Sequence, residues 1–410
     1  MSAAKEGGAL AELKSSWALE YANSPYKYAC GSSLVVIKKA NGAATPLLAL
    51  AYQASQEAYE GSRTQHLRFT TSKDGGETWT ENKCVMWGPA PVWNPCLHYD
   101  AGKLEGSRGS FCPHSAAAIA SGRLLLFYCE SRKSLSPGGD IKYITSPDLG
   151  DSWLPPVTIY THEAEEEVPK VCSGRLLVAQ DGAWYLPVHR EPAESWHTFT
   201  GKGFHPLSEA PEQQLQMAAP AGATPQARHA APRPPCMPSL SMTTAACVLI
   251  SRDSGATWKA SGDIEDARTW LVNPTLEEGS KGQLIMMFRT STGRTYMSSS
   301  ADKGVTWSRP TYNSLPNPNS PFSTVTIDGQ VLCVFNNSQT IRAPLALALS
   351  VNDCKSWEPL AMVEEDATGN FSCPSIVEWA DDTVKVAYTV WGKGVKLATV
   401  KLATVDTAAA

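Results

Sequence analysis

One octet, S-x-D-x-G-x-[ST]-W, recurs along this chain and constrains the fold more than any other feature. Four copies are complete, at residues 72–79, 146–153, 251–258 and 300–307. A fifth, at residues 350–357, has Asn352 in place of the aspartate and Cys354 in place of the glycine. A motif repeated over eight positions is typical of a chain built from copies of one supersecondary unit.

The residue types of the octet suit a tight turn between two strands. The Asp carboxylate can accept hydrogen bonds from nearby backbone N–H groups, and the Gly takes positive φ without a Cβ clash. The Trp opens the next strand, where its large ring can be buried beneath the hairpin. The sequence therefore predicts turn-formers, not catalytic acids, at Asp74, Asp148, Asp253 and Asp302.

The spacing of the octets gives the size of the repeated unit. Asp253 and Asp302 are 302 − 253 = 49 residues apart, which suits one four-stranded blade of a β-propeller. With 410 residues, 42% of them hydrophobic, and 13 Trp, the chain can fill six such blades and a substantial core. The predicted fold class is all-β, a single six-bladed β-propeller over residues 1–410, with the N-terminal segment pairing into the last blade.

Two segments depart from the blade pattern. Residues 201–240 are crowded with Pro, Ala and Gln, a composition that cannot bury enough apolar surface to offset the entropy of ordering. We expect them to form a disordered insertion within blade three. Residues 93–112, between the first two blades, are expected to form a loop.

Bulk properties exclude several classes of function. The formal charge of −5 and the absence of a basic run argue against nucleic-acid and anionic-membrane partners. The chain shows no secretory signal at its start and no apolar run long enough to cross a bilayer. Eleven Cys without C-x-x-C pairs indicate reduced thiols and a cytoplasmic location. Cys112-Pro-His114 is too sparse for a metal site, so no metal or other cofactor is expected.

The octet is the Asp-box, and through it the chain resembles the sialidase-like (neuraminidase) superfamily of β-propellers. A narrower similarity to a plant- and bacterial-type branch rests on four segments, which read V-W-N-P (92–95), L-P-V-H-R-E (186–191), F-R-T-S-T-G-R (288–294) and L-P-N-P-N-S (315–320). The resemblance implies a glycoside hydrolase that acts on a carboxylate-bearing sugar. The family grips that carboxylate with arginines and uses a Tyr nucleophile, a Glu base and an Asp acid.

Two arginines match the family pattern. Arg289 ends the strand in blade four, and Arg342 precedes the strand that leads to the fifth octet. Their planar guanidinium groups can pair bidentately with a carboxylate, so both are predicted to bind substrate. The branch motifs supply further candidate substrate-binding residues: Asn94, Arg190, Arg294 and Asn319.

Other positions depart from the family pattern. The segment around Tyr28 replaces the first-blade arginine, and Asn273 stands where a glutamate is expected, sixteen residues before Arg289. Phe371 falls on the position of the nucleophilic tyrosine, and Phe has no hydroxyl. A Tyr-nucleophile mechanism is therefore unavailable unless another tyrosine, such as Tyr143 or Tyr388, takes that role.

Several carboxylates are candidates for catalysis. Glu191 ranks first because it ends a branch motif, and Glu130 and Glu60 follow, with Glu57 in the same loop as Glu60. His189 is expected to satisfy a local hydrogen bond. The sequence thus supports two hypotheses: a sialidase-like hydrolase of an anionic sugar of the sialic- or uronic-acid type, or a catalytically inactive propeller that binds an acidic glycan or a protein partner.

Overall fold

The structure is a computed structural model, and antiparallel sheets account for nearly all of it. It describes residues 12–38, 46–102, 122–131, 138–162, 169–190, 244–380 and 382–402. Within these residues the strands form six sheets, which follow one another along the chain as the blades of a propeller. The predicted fold class is confirmed. The proposed insertion at residues 201–240 lies outside the described residues. No helix among the described residues is long and apolar enough to cross a membrane.

The first three blades occupy the N-terminal half of the chain. The chain enters through β1 (Glu12–Glu20) and a 3-10 turn at Tyr21–Asn23. Blade one contains β2 (Tyr28–Ile37), β3 (Leu47–Ser55), β4 (His66–Ser72) and β5 (Lys83–Met86). Blade two contains β6 (Val92–Asp100), β7 (Arg123–Glu130), β8 (Asp140–Ser146) and β9 (Val157–Tyr160). Blade three contains β10 (Lys170–Cys172), β11 (Leu177–Val178), β12 (Trp184–Arg190), β13 (Ala245–Ser251) and β14 (Lys259–Ala260).

The last three blades follow the same order. Blade four contains β15 (Val272–Glu278), β16 (Leu284–Arg289), β17 (Arg294–Ser300) and β18 (Thr311–Pro316). Blade five contains β19 (Ser323–Ile327), β20 (Gln330–Asn336), β21 (Leu345–Ser350) and β22 (Glu358–Glu364). Blade six contains β23 (Phe371–Ala380), β24 (Thr383–Val390) and β25 (Gly394–Lys401). The first strand of each blade lies innermost, next to the propeller axis.

The ring of blades is closed twice. At the rim, β1 pairs with β25 and becomes the fourth strand of blade six, which confirms the predicted N-terminal pairing. Near the axis, a disulfide joins Cys30 of β2 to Cys373 of β23 across 343 residues, with their Cα atoms 6.1 Å apart. The expectation that the thiols are reduced is wrong for this pair. It fails because two cysteines distant in sequence meet where the first and last blades adjoin.

Each octet forms a hydrogen-bonded turn, as predicted. In the third copy, Ser251 Oγ and the backbone N–H of Thr257 both donate to Asp253 Oδ1, at 2.7 and 2.8 Å. The Thr257 hydroxyl donates to Asp253 Oδ2 at 2.5 Å. In the fifth copy, Asn352 Oδ1 accepts the equivalent backbone bond from Ser356 at 2.9 Å. An amide can therefore replace much of what the carboxylate does.

A pair of substitutions tests this account of the turn. Asp253→Ala removes the acceptor and is expected to lower the free energy of unfolding by about 1–2 kcal/mol. Asp253→Asn keeps an acceptor, as Asn352 does, and is expected to cost less than about half as much. Urea denaturation of both variants measures the difference, and equal losses would contradict the assigned hydrogen bonds.

The inner strands are kinked where they begin, and the kinks shape the axial cavity. Register shifts occur between Cys30 and Ser33 and at the equivalent places in β6, β15 and β23. The kinked residues have positive φ, at Gly31 (67°), Asn94 (46°), Asn273 (44°) and Cys373 (49°). Such bulges re-aim the adjoining side chains. All four kinked residues line the axial cavity.

One of these kinks explains a wrong prediction. Residues 93–112 were expected to form a loop, but β6 runs through Val92–Asp100 as the inner strand of blade two. Pro95 follows Asn94 at the bulge between Trp93 and Cys96, where the ladder is already interrupted. A proline is tolerated at a bulge because no ladder hydrogen bond is lost there.

Candidate functional site

A central cavity opens at the end of the propeller where the inner strands begin, opposite the octet turns. Its empty volume, counted out to the open mouth, is about 1390 Å³, and residues from all six blades line it. The lining includes charged and polar side chains contributed by different blades: Tyr28, Glu60, Arg175, Arg289, Arg342 and Ser372. This is the place where residues distant in the sequence can act on one ligand.

Arg289 and Arg342 both line the cavity and are held by a shared neighbour. Arg289 Nε donates to Asn319 Oδ1 at 2.7 Å, and its Nη1 donates to Asn273 Oδ1 at 2.8 Å. Arg342 Nη2 donates to the Asn319 backbone carbonyl at 3.0 Å, and its Nη1 donates to Ser372 Oγ at 3.2 Å. The structure thus brings three predicted site residues together, because Asn319 accepts a hydrogen bond from each of the two guanidinium groups.

Blade one supplies a carboxyl and a phenol to the same cavity. Glu60 lies in the loop between β3 and β4, where Gln53 Nε2 donates to its Oε1 at 2.8 Å. The same Gln53 nitrogen lies 3.0 Å from the oxygen of Tyr28, and the Tyr28 hydroxyl also hydrogen-bonds the Glu60 carboxyl. Gln53 Oε1 accepts the backbone N–H of Asn94 at 2.8 Å, which ties this group to blade two.

Burial and nearby charge set the protonation of this group. Burial raises the pKa of Glu60, although hydrogen bonds from Tyr28 and Gln53 and the charges of Arg342 and Arg289 oppose the rise. Burial likewise raises the pKa of Tyr28 well above its usual value, and the negative charge of Glu60 adds to that effect. Burial lowers the pKa of Arg342, opposed by Glu60 and Tyr28. Glu60 therefore keeps its proton to a higher pH than a solvated glutamate does.

Of three further residues named in the sequence analysis, two line the cavity and one lies outside the described residues. Asn94 lines the cavity, and its Nδ2 donates to the backbone carbonyl of Cys172 at 3.2 Å. Glu191, the first-ranked carboxylate, lies outside the described residues. His189 is buried in the cavity wall, where its Nδ1 accepts the backbone N–H of Asn273 at 3.4 Å. That contact joins blade three to blade four.

The remaining predicted residues have partners elsewhere and are not among the described residues that line the cavity. Glu130 forms an ion pair with Lys142 at 2.6 Å. Arg190 forms an ion pair with Asp263. Arg294 is exposed and donates to a backbone carbonyl of blade four at 3.3 Å.

The tyrosines considered as replacements for a nucleophile are also placed elsewhere. Phe371 is buried and packs edge-on against Tyr388, with ring centroids 6.2 Å apart. The Tyr388 hydroxyl donates to Glu364 at 2.5 Å, and Tyr143 packs against Phe127. Neither Tyr143 nor Tyr388 lines the cavity. Among the described residues, the tyrosine that does is Tyr28.

Sequence reasoning did not assign a role to Tyr28, Gln53 or Trp391. Trp391 follows β24 and lines the cavity, with its ring centroid 5.9 Å from that of Tyr28. One signal for Tyr28 was present: Tyr28-x-Cys30 and Phe371-x-Cys373 share a spacing, and their cysteines are bonded. No signal marked Gln53, whose role depends on contacts made only after folding.

The described side chains do not form a candidate metal site. The described part of the chain contains no group of three or more His, Cys, Asp or Glu side chains placed to hold a metal ion. The cavity offers the guanidinium groups of Arg289 and Arg342, a third from Arg175 that forms an ion pair with Glu277 at 3.1 Å, one carboxyl group of raised pKa and one phenol.

Comparison with known proteins agrees with this architecture. Residues 211–386 match the model of the BNR repeat-like domain. A Dyadobacter fermentans protein of unknown function superposes with a TM-score of 0.63 at 18% identity, over 93% of this chain and 96% of that one. A Hadza microbial sialidase superposes with a TM-score of 0.60 at 14% identity, over 91% of this chain and 66% of that one. The chain has the six-bladed fold of the sialidases.

This sialidase-like propeller resembles known enzymes in its fold, at low sequence identity. Trypanosoma rangeli sialidase superposes with a TM-score of 0.58 at 14% identity, over 91% of this chain and 55% of that one. The propeller therefore spans only about half of the trypanosomal enzyme. No curated protein matches the chain by sequence. The similarity to a plant- and bacterial-type branch stays a prediction.

Proposed function

We propose that this sialidase-like propeller is a glycoside hydrolase acting on a terminal sugar that carries a carboxylate, of the sialic- or uronic-acid type. The observation that carries the proposal is the convergence of Arg289 and Arg342 on one cavity that also holds Glu60. Two guanidinium groups from neighbouring blades, fixed through Asn319, favour a planar anion as the ligand.

Related structures support the choice of sugar. One of the neighbours in fold is Trypanosoma rangeli sialidase in complex with sialic acid. Another is the leech intramolecular trans-sialidase complexed with 2,7-anhydro-Neu5Ac. Both ligands are acidic sugars, and the carboxylate of such a sugar is a group that Arg289 and Arg342 can bind.

Glu60 is the residue proposed as general acid. Cleavage of a glycosidic bond requires a proton for the departing oxygen, and a carboxyl group of raised pKa retains its proton to a higher pH than a solvated one does. Burial raises the pKa of Glu60 in this way. The arginines would orient the sugar carboxylate while Glu60 protonates the bond to be broken.

A second function is favoured by one observation. The residue at the expected nucleophile position, Phe371, is buried and carries no hydroxyl. The alternative is therefore a propeller that has lost catalysis and binds an acidic glycan, or a protein partner that presents carboxylates, in the same cavity.

Turnover and binding together separate the two. The full chain is assayed with a fluorogenic sialoside and a panel of fluorogenic uronides, and binding of the free acid sugars is measured by calorimetry. Hydrolysis of one substrate, lost in Arg342→Ala, supports the hydrolase. Binding that depends on Arg342 without any turnover supports the inactive propeller, and the absence of both would overturn the acidic-sugar proposal.

A further inference from the structure

The disulfide between Cys30 and Cys373 lies in the wall of the ligand cavity itself. Both cysteines line the cavity, and Cys373 is only partly buried. The other cysteines that the structure describes are free thiols, and all of them except Cys84 are buried. A small molecule that enters the cavity can therefore reach the covalent bond that joins blade one to blade six.

On the blade-six side, the disulfide is next to the residues that hold Arg342. Ser372 precedes Cys373, and its Oγ accepts a hydrogen bond from Arg342 Nη1 at 3.2 Å. The backbone N–H of Phe371 donates to the carbonyl of Arg342 at 2.9 Å. The start of β23 therefore supports both the backbone and the guanidinium group of this arginine.

On the blade-one side, the disulfide is next to the residues that hold Glu60. Cys30 is the partner of Gln53 in the register between β2 and β3. Gln53 Nε2 contacts the oxygen of Tyr28 at 3.0 Å and Glu60 Oε1 at 2.8 Å. The disulfide thus fixes the strand that supports the carboxyl group relative to the strand that supports Arg342.

Two hydrogen bonds cross the same seam between blades one and six and do not depend on the disulfide. Thr389 Oγ1 donates to the carbonyl of Ala29 at 3.2 Å, and the N–H of Leu34 donates to Ser375 Oγ at 3.0 Å. Along β2 these bonds lie on either side of Cys30. Opening of the disulfide is therefore expected to loosen the starts of the two strands without separating the blades.

We propose that the Cys30–Cys373 disulfide is a redox switch on ligand binding. The bonded form holds the cavity ready for its acidic ligand, and reduction by a dithiol weakens binding. Once the two strand starts move independently, Arg342 and Glu60 must be ordered as the ligand binds, and that ordering costs affinity. The proposal rests on the acidic-sugar ligand argued above and holds for the hydrolase and for the inactive propeller alike.

The reduction is an ordinary thiol–disulfide exchange. One thiolate of the dithiol attacks Cys373 Sγ, a mixed disulfide forms, and Cys30 leaves as a thiolate that takes up a proton. The second thiolate of the dithiol then attacks the dithiol's own sulfur in the mixed disulfide. The dithiol closes as a cyclic disulfide, and Cys373 leaves and is protonated. Two electrons and two protons have then passed from the dithiol to the protein.

The switch also implies that a bound ligand protects the disulfide. If the oxidation state of the pair changes the affinity for the acidic sugar, the acidic sugar must change the equilibrium of reduction by the same factor. More dithiothreitol should therefore be needed to reduce the pair when the cavity is saturated with ligand.

Calorimetry on the full chain in its two redox states tests the proposal. N-acetylneuraminic acid and glucuronic acid are titrated into the oxidised chain and into the chain equilibrated with dithiothreitol, and alkylation with mass spectrometry reports the state of each cysteine. Reduction should weaken binding by about 10-fold or more. The double variant Cys30→Ser, Cys373→Ser should bind as the reduced chain does and should not respond to dithiothreitol. Cys84→Ser removes an exposed thiol outside the cavity and should respond as the wild type does.

The possible outcomes separate this proposal from the proposed function. Equal affinities in the two states, or both cysteines found alkylated before any reductant is added, would overturn the switch and leave the acidic-sugar proposal standing. A ligand that does not protect the pair would show that the change in affinity arises elsewhere. Absence of acid-sugar binding in both states would overturn both proposals. The titration of the wild-type chain decides the question even if the double variant does not fold.

Discussion

Replacing Arg289 or Arg342 by Ala is expected to weaken binding of an acidic sugar by roughly 30-fold or more, about 2 kcal/mol each. Both guanidinium groups line the cavity, and each is oriented by a hydrogen bond to the same residue, Asn319. The double variant should bind too weakly to measure by calorimetry. The neutral sugar of the same ring size should bind equally poorly to wild type and variants.

A nearby arginine provides the control for this prediction. Arg294 lies in the same blade as Arg289 but is exposed and bound to a backbone carbonyl of its own blade. Arg294→Ala should therefore leave the affinity unchanged. An equal loss in Arg294→Ala would mean that binding follows the general charge of this face and not the cavity.

Glu60→Gln is expected to reduce hydrolysis by about 10²- to 10⁴-fold, the usual loss on removing a general acid. The wild-type rate should also depend on pH in a defined direction. The acid must be protonated to act, and burial raises the pKa of Glu60, so the rate should fall as the pH rises through that raised pKa. The Gln variant should lack this fall in its residual rate.

Glu57 supplies a matched control three residues earlier in the same loop. Its carboxylate accepts a hydrogen bond from Thr64, which lowers the pKa of Glu57, and it does not line the cavity. Glu57→Gln should keep both the rate and the pH profile of the wild type. A pH profile that survives Glu60→Gln would show that another group carries the proton.

The fold could be predicted from the sequence because its signal is local. Each octet contains, within eight residues, the donors and acceptors that close its own turn, so Asp253 and Thr257 meet whatever the rest of the chain does. The number of blades followed from the spacing of that repeat and the length of the chain, and the pairing of the N-terminal strand followed from the need to cover the free edge of the last blade. The inner strand β6 was missed because Pro95 is tolerated only through a bulge that a single sequence does not reveal.

The site could be predicted only in part. Arg289 and Arg342 were found because each occupies a recognisable place relative to a strand and an octet. Asn319 was chosen from a motif, but its contact with both arginines depends on how blades four and five pack. No role for Tyr28 follows from the sequence, because only the fold shows that it begins an inner strand beside the one that Phe371 begins. Long-range packing decided each of these contacts.

The β1–β25 pairing closes the ring at the rim, and the Cys30–Cys373 disulfide closes it near the axis. This difference in position affects the order in which the blades would separate on unfolding. Fraying of β1 at the rim would leave Cys30 and Cys373 joined, and with them the strand ends that carry Tyr28 and Ser372. We therefore expect the cavity to keep its shape in molecules whose outermost strand has detached. The blades would separate there only after a covalent bond is also cut.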